Sequence, residues 1–270
     1  MDPVMLSTAP ALNKSESWID FEEALNQSGV SLQDSCLMIV DASRYDNTEV
    51  LRTIYSLDQQ PDWFWLFSET PFEEHKEAGP LVVRTDFNSV LAQQAVSTWG
   101  SDEALVLLAL RQEKEHALTG IRNSLMVRFE TYGPCFLRPY DSRFLEVLNA
   151  CLPEEIGGLV SNGGVLIWSI NNKNRVHWSS ARGLVHEAKG LRANQSQSFE
   201  RLLTWVSGWP RCLVVAAELK ASQRLPLMIR ELWSAGHSCP SSDHELETLL
   251  KSVEPDFHEQ IEKDFVNVRR

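Results

Sequence analysis

A chain of 270 residues with 43% hydrophobic side chains and nine tryptophans can build one large core or two modest ones, which excludes an intrinsically disordered protein. The formal net charge of -12 argues against binding to a nucleic-acid backbone, whose affinity comes from clustered Lys and Arg, and no basic run offsets it.

From residue 18 onward, helix-like and strand-like segments alternate. "SWIDFEEALNQSG" puts Trp18, Phe21 and Leu25 on one helical face and closes on Gly29. "CLMIVDAS" is a compact apolar strand ending in Asp41. "NTEVLRTIYSL" carries the helical stripe Val50, Leu51, Ile54 and Leu57, with Thr48 placed as a cap. "DWFWLFS" reads as an aromatic strand, and "PFEEHKEAG" opens on proline and ends on glycine as short helices do. The strand "PLVVRT", the helix "FNSVLAQQAVSTWG", the strand "ALVLLAL" and the helix "EKEHALTGIRNSL" follow. "MVRFET" and "CFLRPY" pair around the turn "YGP". Near-continuously apolar strands that alternate with helices predict an α/β fold, with a mostly parallel sheet covered on both faces.

Past Pro153 the character changes. "GLVSNGGVLIWSINNKNRVHWSS" has turn signals at "NGG" and "NNKN" and predicts a hairpin. "HEAKGLRANQSQS" is polar and turn-rich, as a linker would be. Beyond it, Phe199, Leu202, Leu203, Val206 and Trp209 recur at helical spacing, then Leu225, Met228, Leu232 and Trp233. A third series includes Leu246, Leu249, Leu250, Val253 and Phe257, and Pro255 must break or kink it. The expected organisation is an N-terminal extension over 1–17, an α/β lobe over 18–187 and a smaller, mainly helical lobe over 188–270.

A search for chemistry finds little. "GGLVSNGG" (Gly157 to Gly164) is glycine-rich but lacks the lysine and following helix of a phosphate cradle, and reads as a tight hairpin. "GHSCP" (Gly236 to Pro240) follows a helix and has proline where a hydrolase elbow needs its second glycine. The five cysteines include no CxxC, and Cys36 and Cys212 open apolar runs as buried free thiols do, which suits a reducing cytoplasm. The seven histidines form no HxH, HxxxH or HExxH arrangement, so neither a metal site nor a cofactor is predicted, and no catalytic residue is named. The opening residues have no basic stretch before an apolar core, and "ALVLLAL" is too short to span a bilayer, so a soluble cytoplasmic protein without membrane insertion is expected.

In "LRPYDSRFLEVL" two arginines and an aspartate fall within six residues, Arg138, Asp141 and Arg143. Asp141 directly precedes the periodic run Phe144, Leu145, Val147 and Leu148, where a carboxylate caps the helix and contributes about 0.5–2 kcal/mol. Arg138 and Arg143 flank it and can pair with it or with Asp41 at its own strand end. The cluster reads as a clamp between strand end and helix start. Docking of a ligand carboxylate or a partner segment on the arginines is the alternative.

This segment resembles the "RFYDPR" signature of the type VI secretion effector adaptor/chaperone family, a domain described as of unknown function. The resemblance continues upstream in the same order. "CLMIVDAS" is similar to the family's opening strand, and "TIYSLDQQPDWFWLFSETPFEEHKEAGPLVVRT" to its "LY … LF.GT … aPyLv.L" region. "ALVLLALRQEKEHALTGIRNSLMVRFETYGPCFLRPYDSRFLEVL" resembles the block leading into the signature, so the likeness covers roughly residues 35 to 155. Here Pro139 stands where the family usually has an aromatic, Ser142 where it has proline, and "SETP" (Ser68 to Pro71) lacks the usual glycine.

The resemblance implies that Asp41, Arg138, Tyr140, Asp141 and Arg143 form a structural family motif. It also implies a cytoplasmic, non-enzymatic helper that binds a specific secreted toxin and promotes its loading onto the spike protein of the valine-glycine repeat type. The helical lobe, on its own apolar stripes, would then offer the cargo-binding surface, with Trp205, Trp209, Trp233 and Phe257 as candidate anchors, against the competing reading that a stripe at helical spacing normally packs inward as core. A hydrolase or small-molecule-binding protein, using a crevice at the carboxyl ends of the strands near Asp41 and Arg138, is the competing expectation.

Overall fold

The computed structural model describes residues 19–110, 117–129, 133–160, 163–172, 175–183, 190–191 and 196–253. The expected N-terminal extension, most of the polar linker, and Pro255 and Phe257 lie outside the described residues.

The main sheet has six strands. β1 (Ser35–Val40) is central, with β3 (Leu81–Asp86) on one side and β4 (Leu105–Ala109) on the other. β2 (Asp62–Trp65) forms one edge beyond β3, while β7 (Val165–Asn172) and β8 (Arg175–Arg182) extend the sheet beyond β4. Every neighbouring pair is antiparallel, which corrects the expectation of a mostly parallel sheet.

The reason lies in the crossovers. α2 (Asn47–Leu57) connects β1 to β2, and α3 (Val90–Ser97) connects β3 to β4. Each helix does join two strands of the same direction, but it skips one position. β3 fills the gap between β1 and β2, and β1 fills the gap between β3 and β4, each running the opposite way. Continuous apolarity reports burial on both faces of a strand and carries no information on direction.

That two-sided burial is clear in β1. Cys36, Met38 and Val40 enter a core shared with α1 (Phe21–Gln27), α2 and α3, whereas Leu37 and Ile39 enter the core on the opposite face. Pleating sends successive side chains to opposite faces, so a strand with helices above and below must be apolar throughout. The result is a three-layer α/β arrangement. α2 is capped by Asp46, whose Oδ1 accepts the Thr48 N–H at 2.9 Å, in place of the expected cap at Thr48. "EEHKEA" forms 3-10 turns over Glu73–Ala78, tighter than the α-helix expected there.

The second face carries α4 (Thr119–Asn123) and a separate ribbon of β5 (Met126–Phe129) paired with β6 (Gly133–Phe136), the strand pair read from the sequence. α5 (Ser142–Cys151) and α6 (Pro153–Ile156) follow. The last of the described residues form α7 (Ser196–Glu218), which continues through Pro210, α8 (Leu225–Ser234) and a helix α9 over 243–253. Leu145 and Leu148 of α5 share one apolar cluster with Leu166 and Trp168 of β7, and with Phe199, Trp205, Trp209, Met228 and Leu246 from the last three helices. Trp205, Trp209 and Trp233 are 0%, 1% and 8% exposed, so these candidate anchors are core residues of the folded chain. Among the described residues, no helix is long and apolar enough to cross a membrane.

Candidate functional site

The antiparallel order brings the end of β1, the start of β4 and the end of β7 together at one margin of the sheet. The ladder continues one step past β1, where the Asp41 N–H donates to the Ala104 carbonyl at 2.8 Å. This places the Asp41 side chain at the margin, only 3% exposed. Its Oδ1 accepts from Ser43 Oγ at 2.6 Å, and its Oδ2 accepts from Arg138 Nη2 at 2.7 Å. Arg44 Nε stands 3.5 Å from the same oxygen. Arg138 also donates to Ser43 Oγ at 3.2 Å, and its guanidinium lies 5.4 Å from the centre of the Tyr140 ring. Tyr140 is buried against Phe67, and burial is the main cause that pushes its phenol up to about 12.

Asp141 caps α5 as expected. Its Oδ1 accepts the Arg143 backbone N–H at 3.0 Å, and Arg143 returns a two-pronged contact, Nε to Oδ1 at 3.0 Å and Nη2 to Oδ2 at 2.7 Å. Burial works to raise the Asp141 carboxyl, but the hydrogen bonds and charge of Arg143 outweigh it, and the group stays below the usual aspartate range. The turn into the helix closes through Asp141 N–H to the Arg138 carbonyl at 2.9 Å.

One member of the cluster is not visible in the motif. Glu103 sits in the turn before β4 with φ of 58°, a left-handed conformation uncommon for a side chain of this kind. Its Oε1 accepts the Asn171 backbone N–H at 2.8 Å, which ties the start of β4 to the end of β7. Burial raises its carboxyl above the usual value, although Asn171, Arg44 and Arg143 oppose the shift. Beside it, Asp102 accepts from Tyr45 Oη at 2.6 Å, and its carbonyl accepts from Arg44 Nη1 at 2.7 Å. The only available sequence signal was an acid in a tight turn, which is commonplace.

Asp41 and Asp141 thus meet Arg44, Arg138 and Arg143 in one network, with Glu103 held beside it by the Asn171 amide and facing Arg44 and Arg143 through charge. Each carboxylate has a committed donor. The network fastens the β1 end, the β4 start, the β7 end and the start of α5, elements up to 97 residues apart in the pair Arg138 and Asp41. Among the described residues, no three His, Cys, Asp or Glu side chains are grouped to hold a metal ion.

Next to this network the outward face of the β5–β6 ribbon carries Met126 and Phe136 beside exposed Arg128 and Pro134. Met126 and Phe136 are cross-strand partners, 41% and 44% exposed. Phe136 is held from beneath by edge-on contacts with Phe67 and Phe72, at 5.8 and 4.9 Å between ring centres. A surface depression of about 530 Å³, lined by Glu22, Leu25, Val30 and Leu32 among others, lies at the other end of β1 and touches none of the network.

No curated protein and no solved structure matches the chain. Residues 36–157, a span that runs from β1 to just past α6 and contains every charged member of the network, match the family described as Domain of unknown function (DUF4123).

Proposed function

We propose that the chain is a non-enzymatic cytoplasmic adaptor, which binds one type VI secretion toxin and promotes its loading onto the spike protein of the valine-glycine repeat type. The observation that carries this reading is the family match over residues 36–157, in which the ordered motifs end in the Arg138–Arg143 cluster. The geometry of that cluster supports it. Asp41 is engaged by Arg138, Arg44 and Ser43, Asp141 by Arg143, and Glu103 by the Asn171 amide. Charges committed to one another in this way brace a fold.

The surface we assign to the toxin is the outward face of the β5–β6 ribbon. Exposed aromatic and methionine side chains held rigidly from behind make good anchors for another chain, because little side-chain entropy is lost on docking. Phe136, seated on Phe67 and Phe72, meets that description better than the buried tryptophans of α7 and α8.

The test is a pull-down of the tagged full chain from its own host at native expression, with partners identified by mass spectrometry. Recovery of one large toxin, with or without the spike protein, is expected. An empty result that persists after crosslinking would overturn the adaptor reading.

A further inference from the structure

The loop between α8 and α9 lies along one face of α7 like a strap. Trp205 Nε1 donates to the His237 carbonyl at 3.1 Å, and the Cys239 N–H donates to Thr204 Oγ1 at 3.1 Å. Arg211 donates to the Pro240 and Ser241 carbonyls and lies 3.5 Å from the Asp243 carboxylate. Thr204, Gly208, Arg211 and Cys212 fall on the same side of the helix, at the spacing of successive turns.

Two thiols meet under this strap. Cys239 Sγ lies 3.9 Å from Cys212 Sγ and 3.8 Å from Arg211 Nη2. The approach depends on Gly208, since a Cβ at that position would stand 2.2 Å from Cys239 Sγ. A glycine inside a helix is less favourable than alanine, and here it makes room for a sulfur atom. The two sulfurs differ in access, with Cys212 fully buried and Cys239 half-buried.

We propose that Cys212 and Cys239 form a reversible disulfide on exposure to a hydroperoxide, with Cys239 as the attacking sulfur and Cys212 as the resolving one. The Cys239 thiolate attacks one peroxide oxygen, the O–O bond breaks, and hydroxide (for hydrogen peroxide) leaves and takes up a proton, giving a sulfenic acid on Cys239. Cys212 then attacks the Cys239 sulfur, the S–O bond breaks, and the departing hydroxide takes the Cys212 proton as water. Two thiols and one hydrogen peroxide become one disulfide and two waters. The thiols are oxidised and the peroxide is reduced.

The electrostatics favour these roles. A hydrogen bond from the Cys212 thiol, aided by Arg211 and opposed by burial, lowers the Cys239 thiol below the ordinary cysteine value. The same contact and its burial raise Cys212. The bond would fasten the strap to the middle of α7, across 27 residues of chain.

The experiment treats the reduced full chain with a small molar excess of hydrogen peroxide and reads intact mass and a non-reducing peptide map. The expected result is loss of two hydrogens in a single chain, a crosslinked peptide joining Cys212 to Cys239, and reversal by dithiothreitol. In Cys212→Ala, a dimedone adduct should accumulate on Cys239. The unmodified chain decides the question even if that variant folds poorly. Retention of both thiols while half-buried Cys135 reacts, or direct conversion of Cys239 to the sulfinic acid without a crosslink, would overturn the proposal.

Discussion

Replacing Asp141 separates the two jobs that its carboxylate performs. Asp141→Ala removes the cap of α5, worth about 0.5–2 kcal/mol, and leaves Arg143 without its two-pronged partner. The Arg143 side chain is one-third exposed, so solvent screens the lost pair and limits its share to about 1 kcal/mol. A total near 2 kcal/mol, at about 2–4 °C per kcal/mol for a chain of this size, lowers the unfolding temperature by about 4–8 °C. Asp141→Asn keeps a good capping oxygen and loses only the charge, so its drop should be about half as large. Thermal unfolding followed by circular dichroism at pH 7 measures both. The pH dependence gives a second check. The folded Asp141 carboxyl lies below its ordinary value, so its contribution is present above about pH 3.9 and disappears as pH falls through the folded value. The gap between Asp141→Asn and the parent should therefore close in acid. Equal damage from Asn and Ala would refute the capping argument. Unchanged stability with loss of partner binding would show that the cluster recognises a ligand.

Burial holds the Glu103 carboxyl above its ordinary value, so its charge costs stability as pH rises past about 4.3 and through the folded value. Glu103→Gln keeps an acceptor for the Asn171 N–H and should match or exceed the parent at pH 7, an advantage that vanishes below about pH 4; a clear loss at pH 7 would mean that the nearby arginines need the charge. Trp205→Ala empties a fully buried site and should cost about 3–5 kcal/mol in denaturant unfolding, whereas a purely interfacial residue would cost almost nothing. The double change Met126→Ser with Phe136→Ser should abolish toxin capture at a stability cost of about 1–3 kcal/mol from the lost burial and ring contacts, and undiminished capture would move the docking surface elsewhere. A chain ending at residue 187 uncovers the apolar cluster around Leu145, Leu148 and Trp168, so it should lose cooperative unfolding; a soluble, cooperatively unfolding product would show that the first lobe suffices alone.

What could be read from the sequence, and what could not, divides along a physical line. Local chemistry was legible. Asp141 precedes its apolar run at the capping distance, and Arg143 two residues on is within reach of it, the partner it takes in the fold. Burial was legible too, since "CLMIV" and "LVLLA" have no polar side to turn to water. Strand direction was not, because the cue was burial and a skipped crossover leaves the same trace as an adjacent one. The helical stripe of α7 showed an apolar face without showing whether this chain or another covers it, and Trp205 and Trp209 proved to be covered from within. Glu103 reaches Asn171 across 68 residues of chain, a contact that only the completed sheet creates.

The direction of the strands also bears on the competing functional expectation. A ligand crevice at the carboxyl ends of strands presupposes parallel neighbours, whose loops open together and leave a gap where the chain order reverses. Here the carboxyl end of β1 is flanked by the amino-terminal ends of β3 and β4, and the turn into β4 occupies the place beside Asp41. Residues that would line a crevice in a parallel sheet are therefore pressed into contact. Asp41 and Arg138 meet at 2.7 Å, and Glu103 closes on Asn171. The topology that overturned the expected sheet thus also removes the strand arrangement on which the carboxyl-end cleft was premised.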